Sequence, residues 1–151
     1  MFNILITSAG GNGAGNQIAK SLRLCKDEKY NLFFADNNTN NIQFRDDSII
    51  NLPLVSDDKY FQKISEVIVK NEIHVIVPGS DKELIYFAKN IDLFHEKGVY
   101  LPINNFKTIN LCLDKVALNE KLVELNYHPP KSIRISFDKD LPEIDWYPVV
   151  L

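Results

Sequence analysis

The sequence predicts an α/β chain built on a doubly wound parallel sheet, and three observations carry that expectation. Apolar runs of strand length occur at Asn3–Thr7, Tyr30–Ala35 and Ile73–Val77, without the strict alternation of a half-exposed strand. Between them lie segments with apolar residues at helical spacing, such as Ile18, Leu22 and Cys25. The first run passes into a glycine-rich turn, Ser8–Gly15, which gives a strand–turn–helix order. Helices between parallel strands cover both sheet faces, and right-handed crossovers bring every strand's C-terminal end to one edge. The loops after Thr7, Ala35 and Val77 therefore share one rim, where ligands of such sheets bind.

The elements follow in order. Tyr30–Ala35 is closed by Asp36, and Asn37–Asn41 is a loop, because its Asn and Thr side chains compete with a ladder for backbone groups. Ile49–Pro53 is a short third strand. Ser56, Asp57 and Asp58 are N-cap candidates for a helix with the stripe Phe61, Ile64, Val67 and Ile68. Ile73–Val77 is the fourth strand, stopped by Pro78-Gly79. Ser80 or Asp81 caps the next helix, which turns Leu84, Ala88 and Ile91 inward and ends at Gly98. Val99–Leu101 supplies a fifth short strand, and Asn104 or Asn105 starts another helix. Leu118, Leu122 and Leu125 form the stripe of the helix after Asp114. Beyond Pro129-Pro130 the pattern changes. Ser132–Phe137 alternates, as a half-exposed strand does, and Tyr147–Leu151 reads as another strand that opens a second domain.

Composition narrows the function classes. With 151 residues and 45% hydrophobic content the chain can bury one proper core. A net charge of −3 and the lack of a basic face argue against a nucleic-acid partner. The N-terminus reads as a first strand rather than a signal peptide. No apolar stretch approaches the ~20 residues of a membrane span. A cytoplasmic location without membrane contact is the expectation. Cys25 and Cys112 lack metal-site spacing and read as buried free thiols.

The chemistry-bearing residues cluster on the predicted rim. Glycines at Gly11 and Gly13 let backbone N–H groups approach an anion at a helix N-terminus. The same glycines also suit a tight turn that only packs the first helix. The dinucleotide pattern Gly-x-Gly-x-x-Gly fails, since the third position falls on Asn16. Asp36 nevertheless ends the second strand, where a ribose-binding acid would stand, and it should lie within reach of the glycine turn. The turn is not a phosphate loop either, because no Gly-Lys-Ser/Thr follows. Asp81 can bind a substrate ammonium or hydroxyl, or cap its helix. His74 reads as a hydrogen-bonded core or edge residue, and His95 as a cation near a helix C-terminus.

Several short motifs carry a family resemblance. They are the glycine turn, Pro78-Gly-Ser-Asp81 followed by Glu83-Leu84, Leu111-Cys-Leu-Asp-Lys115, His128-Pro-Pro-Lys131, and Tyr147-Pro-Val-Val-Leu151. Together they resemble the opening section of ATP-grasp ligases, closest to the carbamoyl-phosphate synthase large-subunit-like branch. The resemblance implies a Rossmann-like pre-ATP-grasp domain over residues 1–113. Residues 114–151 would then be a linking helix and the incomplete start of an ATP-grasp domain. It implies a carbon–nitrogen ligase acting through an acyl phosphate, with ATP and Mg2+ in the parent protein and neither held tightly by these residues. Lys115 becomes the nucleotide contact, and Gly11, Gly13, Asp36 and Asp81 the contacts to a small-molecule substrate. In the family a lysine follows the last strand motif, so the resemblance also implies a fragment, inactive in ATP hydrolysis by itself. Its partners would be the remainder of the ATP-grasp domain or, by pairing of an open strand, a second copy in a homodimer. The rival expectations are an NAD(P)- or sugar-nucleotide-binding protein and a non-catalytic ligand-binding module.

Overall fold

Four parallel strands form the frame, β1 (Phe2–Ile6), β2 (Tyr30–Asp36), β3 (Ile49–Asn51) and β4 (Val75–Val77), in the spatial order β3-β2-β1-β4. This computed structural model describes residues 1–11, 13–25, 29–39, 49–133 and 135. Six helices accompany the strands among the described residues: α1 (Ala14–Leu24), α2 (Tyr60–Lys70), α3 (Asp81–Lys89), α4 (Ile91–His95), α5 (Phe106–Leu113) and α6 (Lys115–Glu124). The chain divides into two compact units, Met1–Asn110 and Leu111–Leu151. The sheet lies wholly in the first, and the fold there is Rossmann-like α/β, as the sequence predicts.

Register explains why the strands need no polar face. Ile6 pairs with Phe34 on one side and Val77 on the other, so the C-terminal ends of β1, β2 and β4 stand level. Successive side chains point to opposite faces. Leu5, Ala35 and Ile76 enter one core with Tyr60, Ile64, Phe87 and Phe94, while Ile6 and Phe34 enter a second core with Ala19 of α1. Each fully buried Leu, Ile or Phe contributes about 1.5–3 kcal/mol. An acid at Ile76, which is fully buried, would break the first core. In that core Phe87 meets Phe94 edge-on at 4.9 Å and Tyr60 edge-on at 6.4 Å.

Several expectations shift. The fifth strand shrinks to one parallel bridge between Val75 and Tyr100. Tyr100 N–H donates to the His74 carbonyl, and Ile76 N–H donates to Tyr100, but the next donor would be Pro102, which has no N–H. The helix expected from Ser80 to Gly98 is two helices. Asn90 parts them, its side chain donating to the Tyr86 carbonyl at 2.8 Å, and Gly98 at φ 73° terminates the second. The buried face of α3 carries Glu83, Phe87 and Ala88, whereas Leu84 and Ile91 are only half-buried.

The caps sort themselves out. Ser80, not Asp81, caps α3. Asp57 bonds the Lys59 N–H in the turn before α2 and leaves that helix without a side-chain cap. Asn105 starts α5 by accepting from Thr108 N–H, and Asp114 caps α6 by accepting from Val116 and Ala117. In α6 no residue is fully buried; Leu118 and Leu122 of its leucine stripe are half-buried, and Leu125 just past its end is exposed. The two thiols are free but exposed, contrary to the expectation of burial. Cys25 stands one residue past the end of α1, and Cys112 lies on an open face of α5. Half of Ser132–Phe137 and all of Tyr147–Leu151 lie outside the described residues. Among those described, no helix is long and apolar enough to cross a membrane.

Candidate functional site

Two kinds of glycine build the rim. A Cβ on Gly79 would lie 2.2 Å from the Thr7 carbonyl oxygen and 2.8 Å from the Gly15 Cα. One on Gly15 would lie 2.6 Å from the Ser8 carbonyl oxygen. These two residues let the backbone after β4, the start of α1 and the end of β1 meet without side chains between them. Gly11 and Gly13 differ. Both are exposed, and the nearest atoms to an added Cβ are 3.8 and 3.9 Å away. Their places do not require glycine for packing.

Asp36 reaches the glycine turn as expected. Its Oδ2 accepts the Gly10 N–H at 2.8 Å, and its Oδ1 accepts the Asn38 N–H at 2.9 Å. The acid thereby ties the turn after β1 to the loop after β2, a structural duty the sequence did not announce.

The centre of the rim is Glu83, which sequence reasoning noted only as part of a motif. Placed at the third position of α3, it turns inward and is buried. Its Oε2 accepts from Thr7 Oγ1 at 2.8 Å, Ser8 Oγ at 2.6 Å and Ser80 Oγ at 3.1 Å. Its Oε1 accepts from the Tyr60 hydroxyl at 3.0 Å. Four hydroxyls from the end of β1, the start of α2 and the cap of α3 thus converge on one carboxylate. Burial, then the Glu83 charge and hydrogen bond, push the Tyr60 hydroxyl pKa far above the ordinary tyrosine value. Tyr86, edge-on to Tyr60, is raised by burial. A signal for Glu83 existed, because Ser80-x-x-Glu83 is a capping-box sequence. In a capping box the glutamate reaches back to the cap's N–H. Here it reaches the cap's hydroxyl and goes on into the sheet.

Ser8 stands in a left-handed conformation, φ 46°, unusual for a residue with a side chain. Such backbone costs on the order of 1–3 kcal/mol, offset by the short bond to Glu83. Beside it a cavity of about 60 Å³ opens, lined by Ser8, Asp36, Ser80, Lys82, Glu83 and the apolar segment 52–55. Asp81, the expected substrate contact, is exposed at the first position of α3 and is not among the cavity's lining residues. Lys115 belongs to the second unit, where its Nζ donates to the Cys112 carbonyl at 3.0 Å. His74 is an exposed edge residue accepting the Asn3 N–H at 3.2 Å, as expected of it. Among the described residues no group of three or more His, Cys, Asp or Glu side chains is placed to hold a metal ion.

Comparison with known proteins adds a family. Residues 4–102 match the family described as PylC-like, N-terminal domain, a span that contains β2, β3 and β4, β1 from Ile4 onward, and the whole rim. No curated protein matches the chain. Among solved structures, dTDP-glucose 4,6-dehydratase from Bacillus anthracis in complex with NAD is similar over 67% of this chain, with 17% identity and a TM-score of 0.47. The chain spans 36% of that protein's length.

Proposed function

This chain belongs to the PylC-like N-terminal domain family of pre-ATP-grasp domains, and from that premise we propose that it is the substrate-side domain of an ATP-dependent carbon–nitrogen ligase. The family match over residues 4–102 is the observation that carries the reading. In this chemistry ATP supplies a phosphoryl group to a substrate carboxylate oxygen, giving ADP and an acyl phosphate. An amine then attacks the acyl carbon, phosphate leaves with the bonding electrons, and the amine loses a proton. Carbamoyl-phosphate synthase-like chemistry is the finer version of this proposal.

The residues take roles by position. Gly11 and Gly13 keep backbone N–H groups open to an anionic group of the substrate. Asp36 holds their turn against the next strand and, with Asp81, gives the rim its negative charge. Lys115, next to the Asp114 cap of α6, is the candidate phosphate contact, since an ammonium reaches a phosphate as a point charge. A cytoplasmic setting and a small-molecule substrate complete the proposal.

Fluorescence titration of the chain with ATP, NAD and NADP tests it. Weak but saturable binding of ATP, reduced roughly tenfold further by Lys115→Ala, is the expected result. Saturable binding of NAD or NADP, lost in Asp36→Ala, would replace the ligase with a dinucleotide-binding protein.

A further inference from the structure

We infer that Glu83 is a positioning residue that sets the hydrogen-bond polarity of the rim cavity, so that the cavity takes a primary ammonium group of the substrate. The inference rests on the proposal above that this rim faces substrate. A carboxylate only accepts hydrogen bonds, so Thr7, Ser8, Ser80 and Tyr60 must all direct their protons to Glu83. The hydroxyl of Ser80 is then used twice, because it also accepts the Glu83 N–H. Thr7 and Tyr60 are buried. Ser8 remains, half-buried and lining the cavity, with its proton committed and its lone pairs free.

Asp36, the other carboxylate of the lining, spends one bond per oxygen on backbone N–H groups and keeps acceptor capacity. Ser8 and Asp36 therefore offer the cavity acceptors, beside Asn37, whose exposed amide can both donate and accept. A hydrogen-bond donor with positive charge satisfies them, and a carboxylate or phosphate does not. Lys82 is exposed, the one cation in the lining against two carboxylates. A water fills roughly 10–15 Å³ of such space, so the cavity admits a head group of a few heavy atoms. The left-handed backbone at Ser8 fits this account, because it is the conformation that brings that hydroxyl to both Glu83 and the cavity.

Ethylammonium chloride and sodium propionate, titrated separately into the ¹⁵N-labelled full chain, test the polarity. The amides of Gly10 and Asn38, which bond to Asp36, are the reporters. Saturable shifts with ethylammonium and none with propionate are expected. Glu83→Gln keeps the size of the side chain but adds a donor, which takes the place either of Oε1, opposite Tyr60, or of Oε2, opposite Thr7, Ser8 and Ser80. In the second placement Ser8 is the hydroxyl with room to turn its proton into the cavity. That variant should lose ethylammonium affinity roughly tenfold and gain a propionate response. A purely structural Glu83 would lower stability without reversing the preference. If Glu83→Gln does not fold, Ser8→Gly decides, since glycine suits φ 46° and removes only the acceptor. Unchanged ethylammonium affinity in Ser8→Gly, or no saturable shift in the native chain, overturns the inference. Propionate binding at the same amides overturns it too but leaves the ligase reading standing, whereas NAD binding by fluorescence removes the ligase reading.

Discussion

Gly15 and Gly79 form a closed floor to the rim, and Gly11 and Gly13 form its open lip. The four glycines look alike in sequence, and three of them fall in one eight-residue turn. The floor pair allow backbone-to-backbone contact, where a single methyl group would collide with a carbonyl. The lip pair have room for a side chain and face water. Glycine is thus kept in the floor by packing, while the lip is where a ligand can select it. Of the two readings that the sequence left open, packing holds at Gly15, and ligand contact at Gly11 and Gly13 stays a proposal.

The sharpest way to break this comparison is Gly79→Ala. With its methyl 2.2 Å from the Thr7 carbonyl oxygen, the variant should lose about 3 kcal/mol or more, a fall in Tm of roughly 12 °C or greater. A thermal melt matching the native chain would show that the floor yields freely. Glu83→Ala comes next. It leaves the Thr7 and Tyr60 hydroxyls buried without their carboxylate, at about 2–4 kcal/mol, measurable by urea unfolding. Gly10→Ala is intermediate. Its Cβ would sit 3.0 Å from Asp36 Cγ, a side chain able to shift, and a loss of about 1 kcal/mol is expected in the same urea assay.

Alkaline pH probes the floor without mutation. Because the folded-state pKa of Tyr60 is raised, its contribution to stability is complete below the unfolded value of about 10 and is lost as pH rises beyond it. Ultraviolet titration of the native chain, which has six tyrosines, should leave Tyr60 un-ionised after the exposed ones have titrated. Early ionisation of every tyrosine would contradict its burial beside Glu83. The smallest stability effect belongs to the lip. Gly13→Val should change unfolding by about 1 kcal/mol or less, through the α1 cap position alone. It should disturb ATP or substrate response more than folding, and a collapsed melting curve would move Gly13 into the floor.

How much of this was legible depends on the kind of signal. Strand positions came from continuous apolar runs, and the rim followed from topology, because parallel strands with right-handed crossovers leave little choice. Asp36 met the glycine turn for the same reason. Glu83 was harder. A glutamate three residues after a serine at a helix start is ordinarily a solvated cap partner, and no local pattern says that Thr7, Ser8 and Tyr60 will converge on it. That convergence joins residues up to 76 positions apart. The break at Asn90 and the exposure of both thiols were missed for a related reason. Helical periodicity continues across the one, and cysteine's average burial says nothing of the particular face in the other.

That exposure has a practical use. Cys25 belongs to the first compact unit and Cys112 to the second, and each is a free thiol open to solvent. Maleimide dyes attached to the two would give a donor–acceptor pair spanning the units with no engineered cysteine. Single-molecule energy transfer across that pair would then report the distance between residues 25 and 112, with and without nucleotide, in the native chain.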